Sequence, residues 1–152
     1  MLQGLGRWLR AAGYDTLIAS DGEPDRKLLS LALKERRLFL TRDRQLSESK
    51  RFNEIVVVLQ ANDLPGCIEE VSDLFGLDWL MAPFSRCLVC NQSLAMITDD
   101  QRQRVKGLVP DDVWLSGQAI LLCRTCQKAY WEGSHVRRMR ARLEAFCRRE
   151  WQ

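Results

Sequence analysis

Two Cys-x-x-Cys pairs constrain this chain more strongly than any other feature of its sequence. The first pair is Cys87 and Cys90, and the second is Cys123 and Cys126. Two such pairs can bring four thiolates into a tetrahedron, which is the ligand set of a structural zinc site. All four positions are then occupied by protein ligands, so the metal has no open position for catalysis. We therefore predict a structural zinc ribbon that stabilises a segment with few core residues of its own.

The segment between the two pairs, residues 91–122, is longer than the about 15–20 residues usual in zinc sites of this kind. An insertion is therefore expected, and the polar stretch Asp99–Gly117 fits it. Two disulfides are the alternative use of the four cysteines. However, Arg7 and Arg10 interrupt any apolar secretory signal near the N-terminus. We therefore expect a cytoplasmic location with reduced thiols, which favours zinc over disulfides.

The residues that precede the cysteines predict an α/β domain. Helical spacing of apolar residues predicts helices, and short apolar runs predict strands. The expected elements, in chain order, are a helix over Met1–Ala12, a strand over Thr16–Ala19, a helix over residues 25–37, strands over residues 38–41 and 54–60, and a helix over Leu64–Phe75. This order is typical of a mostly parallel sheet flanked by helices. A linker over residues 76–83 then separates domains 1–83 and 84–152.

Three acidic residues follow predicted strands. Asp25 follows the first strand, with Asp21 as its rival, while Asp43 and Asp63 follow the second and third. The carboxyl ends of parallel strands share one edge, where ligands collect. Converging carboxylates repel one another unless a cation lies between them, and their hard oxygen atoms suit Mg²⁺ or Mn²⁺. The alternative is that each aspartate simply caps a helix and needs no metal.

The C-terminal region is basic, with a net charge of +5 over residues 84–152 against −2 over residues 1–83. A helix is predicted from His135 to about Glu150, with Ser134 as its cap. Its arginines include Arg137, Arg138 and Arg140, which can bind phosphates by charge, and Tyr130 and Trp131 just upstream could stack on bases. The alternative is a packed amphipathic helix with a solvated basic face.

Two further features exclude classes of protein. The longest wholly apolar runs, such as residues 55–59, are far shorter than the about 20 residues that span a bilayer, so we expect no membrane segment. The single histidine, His135, excludes zinc proteases with an HExxH motif and catalysis by paired imidazoles.

These motifs together resemble the Mut-7 C-terminal RNase domain family, and the resemblance covers nearly the whole chain. The order of the motifs is its most specific part. The matching segments are residues 1–2 and 4–10, Gly13–Thr16, Asp25 with Leu28–Leu29, Thr41–Asp43, Phe84–Cys87 with Cys90–Asn91, Cys123 with Cys126, Tyr130–His135, and Arg138–Met139.

The resemblance implies a PIN-like nuclease fold joined to a zinc ribbon, and a metal-dependent ribonuclease activity. It also implies that Asp25 and Asp43 belong to the metal site, whereas Asp63 matches no motif. Family members usually begin with a strand that ends in an aspartate just before the Met-Leu pair. Because Met1 is the first residue here, we expect the first, central strand of the sheet and its acidic ligand to be missing. An N-terminally clipped copy is favoured over a protein that has lost its activity.

The sequence therefore leads to one favoured function and two alternatives. The favoured function is a ribonuclease that uses Mg²⁺ or Mn²⁺ to cleave RNA. The first alternative is a zinc-ribbon module that binds RNA without catalysis. The second is a zinc-stabilised interaction domain whose basic helix meets an acidic protein.

Overall fold

The first helix, α1 (Leu2–Ala12), places Leu5 and Leu9 one turn apart on a buried face. The computed structural model describes this helix and the rest of residues 2–20, 22–98, 101, 103 and 105–150. Gly13 follows α1 with φ +103°, and a Cβ at this position would lie only 2.6 Å from the carbonyl oxygen of Ala82. A glycine is therefore required where the helix ends.

The chain divides into two units. The first is built on Leu17–Leu77 together with the first residues of α1. The second holds Arg7–Thr16 and Asp78–Glu150. The boundary expected between residues 83 and 84 stays a prediction.

The first unit contains two parallel strands, β1 (Phe39–Thr41) and β2 (Val56–Val58). Phe39 pairs with Val56 and Thr41 with Val58, so both strands end at the same edge. Leu29, Phe52 and Val56 form the buried cluster beside this pair, as expected for apolar strand residues covered by helices.

Helix α2 (Asp25–Lys34) ends three residues earlier than the sequence predicts. Arg36 adopts φ +54°, and the N–H of Arg37 donates to the carbonyl of Ala32 at 2.8 Å. This hydrogen bond and the left-handed conformation of Arg36 together form a Schellman-type cap. Glycine is the usual residue at the left-handed position of such a cap.

Helix α3 (Leu64–Phe75) has the predicted bounds because both of its ends carry strong signals. The Asp63 carboxylate accepts from the N–H of Gly66 at 2.8 Å, and Pro65 lies in the first turn. Gly76 closes the helix in the left-handed conformation with φ +59°.

The second unit contains a three-stranded antiparallel sheet in the order β3 (Ala95–Met96), β4 (Ile120–Leu122), β5 (Ala129–Trp131). A short helix, α4 (Asp111–Leu115), lies in the segment before β4. This insertion was expected to be polar, but Val109 and Val113 are buried against Ile120. The ribbon therefore has an apolar cluster of its own.

The C-terminal helix, α5 (Ser134–Cys147), packs through Leu143 and Phe146. Trp8 and Trp79 both contact the Phe146 ring edge to face, with centroid distances of 5.2 and 5.1 Å. The Ser134 cap was wrong: the helix begins at Ser134 itself, and Gly133 is the cap residue without a side-chain hydrogen bond.

The expected strand over Thr16–Ala19 is also wrong, since none of these residues lies in a strand. The Thr16 N–H donates to Asn91 Oδ1 at 3.0 Å, and its carbonyl accepts from Arg10 Nε at 2.7 Å. Side chains therefore satisfy the backbone groups that a strand ladder would use. The α/β fold class, the four-cysteine cluster and the C-terminal helix are confirmed. No described helix is long and apolar enough to cross a membrane.

Candidate metal centre and acidic strand edge

The four predicted ligands, Cys87, Cys90, Cys123 and Cys126, form one cluster. All four Sγ atoms lie within 4.8 Å of one another, and three of the Sγ–Sγ distances are 3.3, 3.4 and 3.9 Å. A tetrahedron with zinc–sulfur bonds of about 2.3 Å has sulfur–sulfur edges of about 3.8 Å. The cluster therefore fits zinc in size, in ligand number and in its soft sulfur donors.

The backbone makes the same turn at both pairs. The N–H of the first cysteine donates to the carbonyl five residues further on, at 2.8 Å in the first pair and 2.9 Å in the second. The residue after the second cysteine, Asn91 or Gln127, adopts φ +70° or +55°. Its N–H donates back to the carbonyl of the first cysteine at 2.9 Å in both pairs. These turns aim all four sulfurs at a common point.

Tyr130 belongs to the surroundings of this cluster. Its hydroxyl lies 3.1 Å from Cys87 Sγ and accepts from the Leu88 N–H at 3.2 Å. Burial raises the pKa of Cys87, but hydrogen bonds from Tyr130 and from the N–H groups of Cys90 and Val89 outweigh it and lower this pKa to about 6. The hydroxyl therefore stabilises the thiolate form that a metal needs.

The pKa of Cys126, whose Sγ lies 3.4 Å from that of Cys87, is shifted in the opposite direction. Burial, followed by hydrogen bonds with Cys87 and Cys123, raises the pKa of Cys126 to about 12. Cysteine binds zinc only as the thiolate, so zinc binding must displace protons from the cluster.

Asp43 lies two residues after the end of β1 and is exposed. Its N–H donates to Thr41 Oγ1 at 3.0 Å, and its Oδ1 accepts from the Gln45 N–H at 2.9 Å. Asp43 thereby caps the 3₁₀ helix Arg44–Glu48. One carboxylate oxygen serves the cap, and the other has no hydrogen-bond partner among the described residues.

Asp63 makes the same kind of contact after β2, where its Oδ1 caps α3. The segments that carry Asp43 and Asp63 lie side by side, because Arg42 donates to the Asn62 side chain and Arg44 to that of Gln60. The structure thus joins the segments that follow β1 and β2.

Asp25 is the first residue of α2 and is exposed. Its rival Asp21 lies outside the described residues. Within the part of the chain that the structure describes, the four cysteines are the only group of three or more potential metal ligands with donor atoms this close together. The roles of Asp25, Asp43 and Asp63 in catalysis stay predictions.

The predicted nucleic-acid residues of α5 differ in their contacts. Arg140 pairs with Glu132 at 3.3 Å and lies over the Phe84 ring at 5.3 Å. Arg137 donates to the Glu132 carbonyl at 3.2 Å. Arg138 is exposed, and no described residue pairs with it. Trp131 is half-buried on β5 against the Val109 cluster. Their binding roles stay predictions.

Two residues near the cysteines were missed by the sequence analysis. Arg10 and Asn91 are 4% and 6% exposed, and both make hydrogen bonds beside the first cysteine pair. Asn91 gave a usable signal, because asparagine tolerates the left-handed turn that directly follows Cys90. Arg10 gave none, because a helical arginine is normally solvated.

The parallel strand pair and the four-cysteine ribbon define an α/β protein that carries a candidate structural metal site. More particularly, the chain belongs to the Mut7-C RNAse domain family, whose model matches residues 1–143. The resemblance inferred from the motifs is thereby confirmed. Membership supports a nuclease-like role with RNA as substrate or partner. No curated protein and no solved structure shows a significant match to the chain.

Proposed function

We propose that this protein is a metal-dependent ribonuclease that cleaves RNA phosphodiesters at the edge where β1 and β2 end. The observation that carries the proposal is the family match over residues 1–143. The parallel register of the two strands supports it, because Asp43 and Asp63 follow strands that end side by side.

Asp25, Asp43 and Asp63 would hold Mg²⁺ or Mn²⁺ at this edge. Such an ion activates a water molecule and neutralises charge on the phosphodiester. Capping does not prevent this role, because each cap of Asp43 and Asp63 uses Oδ1 only. Arg42 and Arg44 hydrogen-bond neutral amides here, so their positive charge is retained beside an incoming phosphate.

Zinc at the four cysteines would stabilise the second unit, which presents α5 to RNA. Arg138 is the best-placed phosphate ligand, since its guanidinium is exposed. Arg137 and Arg140 would assist, with one contact each to Glu132 already made. Tyr130 and Trp131 would contribute ring faces rather than polar groups, because the Tyr130 hydroxyl is bound at Cys87.

The test is Asp43→Asn, with Asp112→Asn on α4 as the matched control. Asparagine keeps an oxygen to accept from the Gln45 N–H, so the cap and the fold should survive. We expect cleavage of end-labelled RNA in Mg²⁺ or Mn²⁺ to fall at least about 100-fold in Asp43→Asn and to be unchanged in the control. Equal cleavage by the two variants would reject the acidic site.

An RNA-binding module without catalysis is the second candidate. The observation that favours it is that Asp43 and Asp63 both have structural roles as caps, which explains their positions without a metal. In that case the wild type cleaves no RNA, and binding survives Asp43→Asn. Charge reversal of Arg137 and Arg138 to glutamate should still weaken binding, as measured by fluorescence anisotropy.

A further inference from the structure

Arg10 is a charged residue in the interior of the second unit. It lies on α1, and only 4% of its surface is exposed. Its Nη1 donates to the carbonyls of Leu88 and Val89 at 3.1 and 2.8 Å, and its Nε donates to that of Thr16. Among the described residues, it forms no ion pair with a carboxylate. A buried charge of this kind needs a compensating charge nearby.

The two carbonyls on Nη1 belong to the residues between Cys87 and Cys90. Burial lowers the pKa of the Arg10 guanidinium, and the negative charge of Cys87 and Cys90 opposes this effect more strongly than that of Asp15 does. Zinc held by four thiolates carries a net charge of −2. With zinc bound, the cluster would supply the counter-charge that the buried arginine requires.

Other contacts join the same two segments. Asn91 Oδ1 accepts from the Thr16 N–H, and its Nδ2 donates to Asp15 at 2.6 Å. Arg86 Nε donates to the carbonyl of Gly13 at 3.1 Å. Residues 10–16 are thus bound to the first cysteine pair from both sides.

We propose that Arg10 is a positioning residue of the zinc site, which compensates the negative charge of the metal–thiolate cluster and couples zinc binding to the docking of residues 10–16. This inference rests on the zinc occupancy proposed above. It assigns Arg10 a role beyond that of a helix residue, exerted through the carbonyls of Leu88 and Val89.

The test compares Arg10→Gln, which removes the charge, with Arg10→Lys, which keeps it. Arg7→Gln is the matched control, because Arg7 is exposed on the same helix. Zinc affinity is measured by competition with a chromophoric chelator of known affinity. Loss of an outer partner of a metal ligand typically weakens metal binding by 10–100-fold. We expect a loss of about this size in Arg10→Gln, a smaller loss in Arg10→Lys and none in Arg7→Gln.

A charge-reduced ligand set separates the charge from the hydrogen bonds. Cys90→His replaces one thiolate by a neutral ligand and keeps a common zinc set. Arg10→Gln should cost less zinc affinity in that background than in the wild type. An equal cost in both backgrounds would overturn the charge compensation.

Trypsin gives a second readout on the wild-type chain. Cleavage after Arg10 should be slow with zinc bound and fast once a chelator removes it, because the buried segment is then released. Equal cleavage in both states would overturn the coupling to residues 10–16.

The remaining outcomes are also decisive. If Arg10→Gln binds zinc within about threefold of the wild type, Arg10 does not position the site. If Arg10→Gln fails to fold even in excess zinc, Arg10→Lys decides: near-native affinity supports the proposal, and a tenfold or greater loss overturns it. A wild type that binds no zinc would instead reject the proposed zinc site itself, which separates the two failures.

Discussion

The aromatic cluster beneath α5 gives the sharpest stability prediction. Phe146 is 3% exposed and contacts Trp8 and Trp79 edge to face. Arg142 also lies over its ring, with the guanidinium carbon 5.6 Å from the ring centroid. Phe146→Leu keeps an apolar side chain in place but removes all three ring interactions.

The expected loss follows from these contacts. Each edge-to-face pair is worth about 0.5–1.5 kcal/mol beyond its buried area. An exposed cation–π contact adds about 0.5–1 kcal/mol. Phe146→Leu should therefore lower the free energy of unfolding by about 1.5–4 kcal/mol in total.

Urea unfolding followed by tryptophan fluorescence measures this loss, with zinc present throughout. Phe75→Leu is the matched control, because Phe75 is a helical phenylalanine that is 38% exposed. Its free energy of unfolding should change by no more than about 0.5 kcal/mol. A loss in Phe146→Leu that is no larger than in the control would refute the view that these rings hold α5.

Three further predictions concern the backbone and the thiols. Arg36→Gly should raise the free energy of unfolding by about 1 kcal/mol, because glycine adopts the φ of +54° without strain; a thermal melt measures this. Gly13→Ala should lower it by about 2 kcal/mol or more, since its Cβ would meet Ala82. In the zinc-loaded protein, a thiol reagent should react first with exposed Cys147. Four more thiols should react after chelation, and buried Cys67 only on unfolding.

Local signals made some elements predictable. Helix α3 has Asp63 at its start and Gly76 at its end, so its bounds follow from capping chemistry alone. The apolar residues of β1 and β2 also indicated strands, and their parallel pairing follows from the intervening connection. Both strands are shorter than predicted, because periodicity marks the centre of an element better than its ends.

Long-range contacts explain the errors. Thr16–Ala19 has an apolar strand pattern, but Thr16 is bound by Asn91, which lies 75 positions further along the chain. No local pattern shows such a partner. Val105, Val109 and Val113 recur every four residues within the polar insertion, and all three are buried. This helical spacing indicates a buried face, although the polar composition of the segment favours an exposed insertion.

The candidate site was only partly predictable for a related reason. Cysteine spacing identifies the candidate metal ligands directly, because the motif and the candidate ligand set are the same residues. The acidic edge differs, since an aspartate after a strand serves a cap and a metal equally well, as Asp43 and Asp63 illustrate. Only a change that keeps the cap and removes the charge distinguishes these roles.

Zinc at the four cysteines would also change the charge that RNA meets. The count of +5 for residues 84–152 treats the cysteines as neutral, whereas zinc with four thiolates adds −2 and leaves +3. If about three phosphates are neutralised, the logarithm of the affinity for single-stranded RNA should fall with the logarithm of salt concentration with a slope of about −2. Anisotropy titrations at several salt concentrations measure this slope. Arg138→Gln should reduce its magnitude by about 0.7, and a slope insensitive to Arg138 would place the RNA away from α5.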